Sequence, residues 1–432
     1  MRFLWFVFFS TALYVEPTYG RNPATTDYYL ITAGPSAGLH TQGGHALLRA
    51  HDLSTGEDVV YNWGTFDFDA PNFEWKFYQG SLLYRMMVLP TRRWLASDMR
   101  RNPRYTLQDK LNLTTRQKTK LEAILQWWNQ PENNQYHYHI WANNCSTKIR
   151  DILDKILQGQ MHVKFENKII HQTFRHLWQQ TFAHWSSIVF SVNLTLNAKA
   201  DLPISEWDRM FIPEYMRLSL SEMLAVDDEG HLTSEPFLLP PTVLLADQPP
   251  QLQPYKPWEF WISAIWAFLS TLCGIVIFKK WNLIRRLLLP VTAISWAIPS
   301  SVVGSLLILN SLFTSREYLF FPATLWLFWP IDFLFLLAVP AWLKGQLPNH
   351  NRGYGKLLFL LCRTHMIAHC LYLTLWLLQV IESDIQAIAM TMAPASLLII
   401  ATLDRLGLRY RNTQPSQEIL SKIKEAQNEF KN

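Results

Sequence analysis

Cys145 stands in the run Asn143-Asn144-Cys145-Ser146-Thr147-Lys148-Ile149-Arg150-Asp151, where apolar residues at Ile149, Ile152, Leu153 and Ile156 predict a helix over 145–157. At a helix start the macrodipole and the unpaired backbone N–H groups stabilise a thiolate, and the same groups can donate to an oxyanion. A thiol nucleophile needs a base within hydrogen-bond reach. His45 supplies one at the head of an expected strand, behind Gly43 and Gly44, which let another stretch of backbone approach closely. On the paired strand, Tyr61 or Asn62 would orient the imidazole, and Asn62 is the choice by analogy with Cys-His-Asn sites. Asn144 is a candidate donor beside the sulfur, and Tyr61 and Arg49 are candidates for substrate contact. Each has a plainer use: a lone cysteine as a small buried hydrophobe, His45 as a satisfied strand residue, Asn144 and Thr147 as caps, Arg150 with Asp151 as a surface pair.

These residues need strands and helices to bring them together. Residues 28–32 and 44–51 read as strands, 58–63 continues as the second arm of a hairpin across Ser54-Thr55-Gly56, and 82–89 reads as another strand. A helix is expected over 114–129, opened by a Thr cap and patterned by Leu121, Ile124, Leu125 and Trp128. A strand over 135–141 precedes the cysteine helix.

The hydrophobic residues gather at the two ends of the chain. Residues 1–20, with Arg2, an apolar run over 3–15 and Gly20, read as a signal peptide, the run being short for a span of about 20 residues. Apolar runs over 258–278, 287–309, 318–343, 357–381 and 385–403 are each long enough to cross a bilayer as a helix. Lys279, Lys280, Arg285 and Arg286, then Lys344, Arg352 and Lys356, then Arg405, Arg409 and Arg411 fall in alternate connections. The positive-inside rule therefore places the C-terminus in the cytoplasm and everything before residue 258 outside. The net charge of +5 is mostly this topology signal, and no nucleic-acid partner is expected. Of the four cysteines, Cys273, Cys362 and Cys370 lie in the membrane part, so Cys145 is the exported domain's one thiol and has no partner there for a disulfide.

The expected organisation is a signal peptide (1–20), an exported thiol domain (21–160), an aromatic-rich, mostly helical extension (161–235), a Pro-rich linker (236–257), a five-helix transmembrane domain (258–404) and a cytoplasmic tail (405–432). Phe165, Phe174, Trp178, Phe182, Trp185, Phe190, Trp207 and Phe211 of the extension either line an acyl-chain groove or pack its helices. Within the spans, His365 and His369 lie four residues apart on one helix face beside Arg363, and Asp332 is a partner for one of them. With no third ligand evident, polar packing or a headgroup contact is favoured, and neither metal nor cofactor is expected.

The run from His45 through Tyr61-Asn62-Trp63-Gly64-Thr65-Phe66-Asp67-Phe68, Phe73, Lys76-Phe77-Tyr78-Gln79-Gly80, Leu111-Asn112-Leu113-Thr114, Tyr136-His137-Tyr138 and Asn144-Cys145-Ser146-Thr147-Lys148-Ile149-Arg150-Asp151 resembles the exported domain of the Lnb-type bacterial lipoprotein N-acyltransferases over about residues 27–160. The membrane half resembles that family in layout. The resemblance implies an α+β, circularly permuted papain-like (NlpC-like) domain, with histidine before cysteine, followed by an all-α bundle of about five transmembrane helices. It implies Cys145 as nucleophile and His45 as base, although Gly43 stands where family members have Phe before Gly-His. The expected activity is acyl transfer from a membrane phospholipid through a Cys145 thioester to the α-amino group of a diacylglyceryl-cysteine apolipoprotein, at a bacterial inner membrane with the thiol domain in the periplasm. A membrane-anchored papain-like peptidase or amidase, simple phospholipase action, and a non-catalytic scaffold or lipid-binding role are the competing readings.

Overall fold

The computed structural model describes residues 21–66, 71–245, 282–346 and 353–378, together with 265, 268, 269, 348, 399 and 400. The chain divides into two units, Met1–His171 with Ile204–Gln251, and Gln172–Pro203 with Leu252–Asn432. The expected signal peptide, most of the first and fifth apolar runs, most of the Pro-rich linker and the cytoplasmic tail lie outside the described residues, as do Asp67 and Phe68.

The first unit is built on an antiparallel sheet. Strands β1 (Thr26–Ala33), β2 (His45–Asp52), β3 (Asp58–Thr65) and β4 (Leu83–Pro90) form a meander. β5 (Thr106–Lys110) and a last strand, Thr242–Leu245, extend it beyond β1, and β6 (Gln135–His137) pairs with β4. The β2–β3 register sets Leu48 opposite Tyr61 and Arg49 opposite Val60. Strand alternation then assigns the faces. Ala46, Leu48, Ala50, Tyr61 and Trp63 join one core with Leu121 and Leu125 of helix α3 (Thr115–Asn129) and Ile149, Ile152, Leu153 and Ile156 of helix α4 (Cys145–Ile156). Ile31, Ala33, Leu47 and Val60 pack on the opposite side against Trp94 of helix α2 (Thr91–Arg101). With α1 (Phe73–Gln79) between β3 and β4, the result is an α/β domain with helices on both faces of the sheet.

The expected β1 to β4, α3 and α4 fall within a few residues of where the patterns placed them. Thr114 caps α3 reciprocally with Gln117, as its sequence position suggested. The strand expected over 135–141 stops at His137, because His139 and Asn143 close a turn there by paired backbone hydrogen bonds of 3.0 and 2.9 Å. α2 and β5 gave no clear period: α2 is an 11-residue helix whose buried residues, Thr91, Trp94 and Asp98, include two polar ones.

Beneath the sheet sits a buried polar cluster. Arg21, on the α3 side of β3, donates to Tyr61 Oη at 2.7 Å and to Glu122 at 3.3 Å, while Tyr28 Oη donates to Glu122 at 2.7 Å. Burial, helped by the Glu122 charge and opposed by the Arg21 charge, pushes the Tyr61 hydroxyl up to about 12. Arg21 also binds the more exposed Glu57 at 3.0 Å, so Glu122→Ala removes its buried carboxylate but leaves a second one. The variant is expected to destabilise the protein by about 3 kcal/mol in chemical denaturation, the low end for a broken buried pair. A loss under about 1 kcal/mol would contradict the burial of this pair.

Residues 161–235, read from sequence as one extension, are divided between the two units. Phe165 and Phe211 are buried in the first, Phe165 in the same core as α4. Helices Phe174–Thr181 and Ser186–Thr195 belong to the second. There Arg175, fully buried, binds Asp201 and the carbonyls of Asn193 and Leu196.

The second unit contains three segments long and apolar enough to cross a membrane among the described residues, Arg286–Phe313, Glu317–Leu343 and Gly353–Leu375. They match the expected second, third and fourth runs. The middle one is irregular: 3-10 turns over Pro330–Ala338 lead into a short helix, Val339–Leu343, in a sequence carrying Pro322, Pro330 and Pro340. Pro330 and Pro340 stand in the first turns of these two pieces, where the missing backbone N–H breaks no intrahelical bond, so each marks the start of a new element.

A thiol, an imidazole and an amide at the end of the sheet

α4 begins at the cysteine because the sequence before it is a cap. Asn144 has extended backbone geometry, its Oδ1 accepts from Thr147 N at 2.9 Å, and Thr147 Oγ1 accepts from Asn144 N at 2.8 Å. Both amide protons of Asn144 are used as well, donated to Ile140 O at 2.8 Å and Phe211 O at 2.9 Å. Asn144 therefore has no proton left for an oxyanion. The expectation of a donor role is corrected to that of a cap and a tie.

The segment before and within helix Pro213–Ser221 holds this end of α4 in place. Ser146 Oγ donates to Met210 O at 2.6 Å, and Arg150 donates to Trp207 O at 3.0 Å with its guanidinium 4.0 Å above the Trp207 ring. Arg150 is buried, so its bond to Asp151 is not an ordinary surface pair. No pattern in the sequence linked Trp207–Phe211 to the cysteine, because the contact is made to backbone carbonyls.

His45 opens β2. Gly44 ahead of it has φ +75°, and a side chain there would meet Ala33 O at 2.8 Å, so glycine is required on two counts. His45 Nε2 and Asn62 Oδ1 are 2.8 Å apart, the amide oxygen accepting from the ring N–H. Gly64, two residues beyond Asn62, lies against the imidazole: a Cβ there would stand 2.7 Å from His45 Cε1. Cys145 lies close enough to His45 and to the backbone N–H groups of Ala46 and Ser146 for all three to act on the charge of its sulfur. Sulfur, imidazole and amide thus meet where β2 begins and α4 begins. Cys145 is half-buried and free.

Burial pushes the Cys145 thiol up, but the charge and hydrogen bond of His45, with the two backbone donors, outweigh it and bring the thiol below its ordinary range. Burial pushes His45 down, and the Cys145 charge and hydrogen bond, with help from Asn62 and against Arg104, carry it above its ordinary value. Both directions favour a thiolate–imidazolium pair. Nearby, Lys148 Nζ lies 4.9 and 5.1 Å from the Tyr136 and Trp128 ring centroids, and Tyr136 Oη donates to Trp63 O at 3.0 Å.

The two expected substrate contacts lie elsewhere. Adjacent residues on a strand face opposite ways. Tyr61, beside Asn62, is buried and committed to Arg21. Arg49 makes a bidentate pair with Asp58, 2.7 Å at each oxygen, and donates to Gln108. It lines a shallow hollow of about 320 Å³ with Arg92, Leu95 and Met99 of α2. Neither touches Cys145 or His45.

Residues 21–180 match the family model of the Lnb N-terminal periplasmic domain. No curated protein and no solved structure matches the chain.

Alkylation of Cys145 by iodoacetamide, followed by peptide mass spectrometry, reads the thiolate directly. Because the folded thiol is lowered, the rate should level off at a pH below the ordinary cysteine range of about 8.5 and fall only as pH drops through the lowered value. His45→Ala removes the main lowering partner and leaves burial opposed only by the two backbone donors, so its inflection should move up from the wild-type value. Gly64→Ala must push the imidazole aside and should slow alkylation at neutral pH by on the order of 10²-fold. A wild-type inflection at or above about 8.5 would contradict the ion pair.

Proposed function

Residues 21–180 form an Lnb-type periplasmic domain, and from that premise we propose that the protein is a lipoprotein N-acyltransferase working through a Cys145 thioester. The observation that carries the reading is the Cys145–His45–Asn62 arrangement, with the thiol lowered and the imidazole raised. The Cys145 thiolate attacks an ester carbonyl of a membrane phospholipid, and the tetrahedral oxyanion is met by the Cys145 backbone N–H at the first turn of α4. As the carbonyl re-forms, the lysophospholipid oxygen leaves with the proton of the His45 imidazolium. The α-amino group of a diacylglyceryl-cysteine apolipoprotein then attacks the thioester, His45 accepts its proton, and the thiolate is expelled. Asn62 holds the imidazole in the tautomer and orientation that both steps need. The donor phospholipid and the acceptor lipoprotein are the partners, and no cofactor enters.

The membrane unit supports a bilayer-confined substrate pair. Leaving the bilayer would cost a lipid about 0.8 kcal/mol per CH₂, so an enzyme embedded beside its substrates avoids that expense. The proposed location is the inner membrane, with the thiol domain in the periplasm and the C-terminus in the cytoplasm. Asn197 donates to Glu317 O at 2.7 Å and Phe320 O at 3.0 Å, tying a segment that follows the thiol domain to the loop that charge asymmetry puts outside.

In cells lacking their own N-acyltransferase, a reporter lipoprotein's N-terminal peptide should gain one acyl chain's mass with the wild-type protein and none with Cys145→Ala. His45→Ala should lower the acylated fraction by 10²-fold or more, roughly the contribution of a general base. Free fatty acid and lysophospholipid without acylated peptide would replace the reading with a phospholipase. Acylation retained in Cys145→Ala would remove the thiol from the chemistry.

A further inference from the structure

The middle of the membrane unit holds a polar cluster that the acyl-transfer reading does not use. Ser300, Asp332 and His365 lie near the centres of the three segments long enough to span, with His369 one turn beyond His365, and all four are fully buried. Ionisable groups at that depth are expensive and are kept when they bind or move something. His365 Nε2 donates to Asp332 Oδ1 at 2.6 Å, and the other carboxylate oxygen accepts from Ser300 Oγ, which itself accepts from Trp329 N at 3.2 Å. His369 Nδ1 donates to His365 O at 2.9 Å. The acceptors are a carboxylate and a carbonyl, so these hydrogen bonds fix both tautomers.

The remaining ring nitrogens, His365 Nδ1 and His369 Nε2, are therefore lone-pair acceptors when the rings are neutral. Both are buried and neither has a hydrogen-bond partner. Two orphaned acceptors in a site that carries the Asp332 charge call for a cation. The two rings share one helix face, with centroids 5.5 Å apart. Two imidazoles bound to one ion at about 2.1 Å hold their centroids roughly 5–5.5 Å apart. Outer partners are in place too: a ligating histidine characteristically donates its other N–H to a carboxylate or a backbone carbonyl, as His365 and His369 do. The Trp329 ring stacks on His365 at 3.8 Å and Trp296 stands edge-on to both rings at 6.3 Å, locking their orientation.

We propose that His365 and His369 are the protein ligands of a transition-metal ion of the zinc type in the membrane unit, oriented by Asp332 and the His365 carbonyl. Among the described residues no third His, Cys, Asp or Glu joins them, so the ion keeps positions for water or another oxygen or nitrogen ligand. Asp332 is a positioning residue and Ser300 fixes Asp332.

The test uses tag-free, full-length protein in detergent, stripped with a chelator and titrated with Co²⁺ as a coloured substitute for Zn²⁺. The expected result is uptake of about one ion per chain, with the visible absorption of nitrogen coordination and displacement by Zn²⁺. His365→Ala and His369→Ala should lose that band, and Asp332→Asn should weaken Co²⁺ binding by roughly 10–100-fold while keeping it. A band that survives His369→Ala overturns the proposal. If either alanine variant fails to elute as a single species, the wild-type titration decides alone: no uptake, or a spectrum of oxygen-only coordination, overturns it. The outcome is independent of whether the protein acylates anything.

Discussion

The contact between the Cys145 sulfur and the His45 imidazole sets two effects against each other, and the rest of the first unit serves that opposition. Partial burial alone would keep the thiol protonated and the imidazole neutral. Each group's charge offsets the effect of burial on the other, which widens the pH range over which thiolate and imidazolium coexist. Such coupling works only at contact distance, since a charge pair in a half-buried site loses its advantage as water enters. The elements that fix that distance are the head of β2 and the first turn of α4.

The means of holding are mostly backbone and small residues. Gly44 lets the chain turn into β2 against the Ala33 carbonyl, and Gly64 leaves room for the His45 ring by having no Cβ. Asn62 fixes the ring. α4 is pinned from outside by carbonyls of Met210 and Phe211, which accept from Ser146 and Asn144. The segment that follows the thiol domain in sequence thus belongs to its scaffold. Asn144, next to the nucleophile, spends every hydrogen-bonding group it has on keeping the helix start where it is.

The membrane unit obeys a different economy. Its middle segment is irregular, and backbone groups that no helix pairs are met by side chains, as where Ser300 accepts from Trp329 N. The Asp332–His365–His369 cluster sits where the proline-rich segment crosses its neighbours, so irregular backbone and buried charge occur together. In a low-dielectric interior such a cluster carries a cost that hydrophobic side chains of similar volume would avoid, which is why it points to a bound cation.

The sequence by itself determined a good deal. Apolar runs and helical patterning located β1 to β4, α3 and α4, because the central strands are buried on both faces and each helix buries one apolar face. Residue chemistry singled out Cys145, His45 and Asn62 before any geometry was known, since a lone thiol at a helix start and a histidine behind two glycines are unusual pairings of type and place. Apolar length gave the three spans the structure describes. What only the tertiary structure decided was direction and allegiance. One residue's step along β3 separates Asn62, on His45, from Tyr61, buried with Arg21, and composition cannot show which way a strand faces. Arg49 went to Asp58 because the hairpin register sets their ends side by side. Asn144 became a cap, and residues 161–235 were split between two units, because their partners are backbone carbonyls and buried side chains far away in the chain. Contacts of that kind leave no periodic trace in a sequence, and only the folded chain brings their two halves within reach.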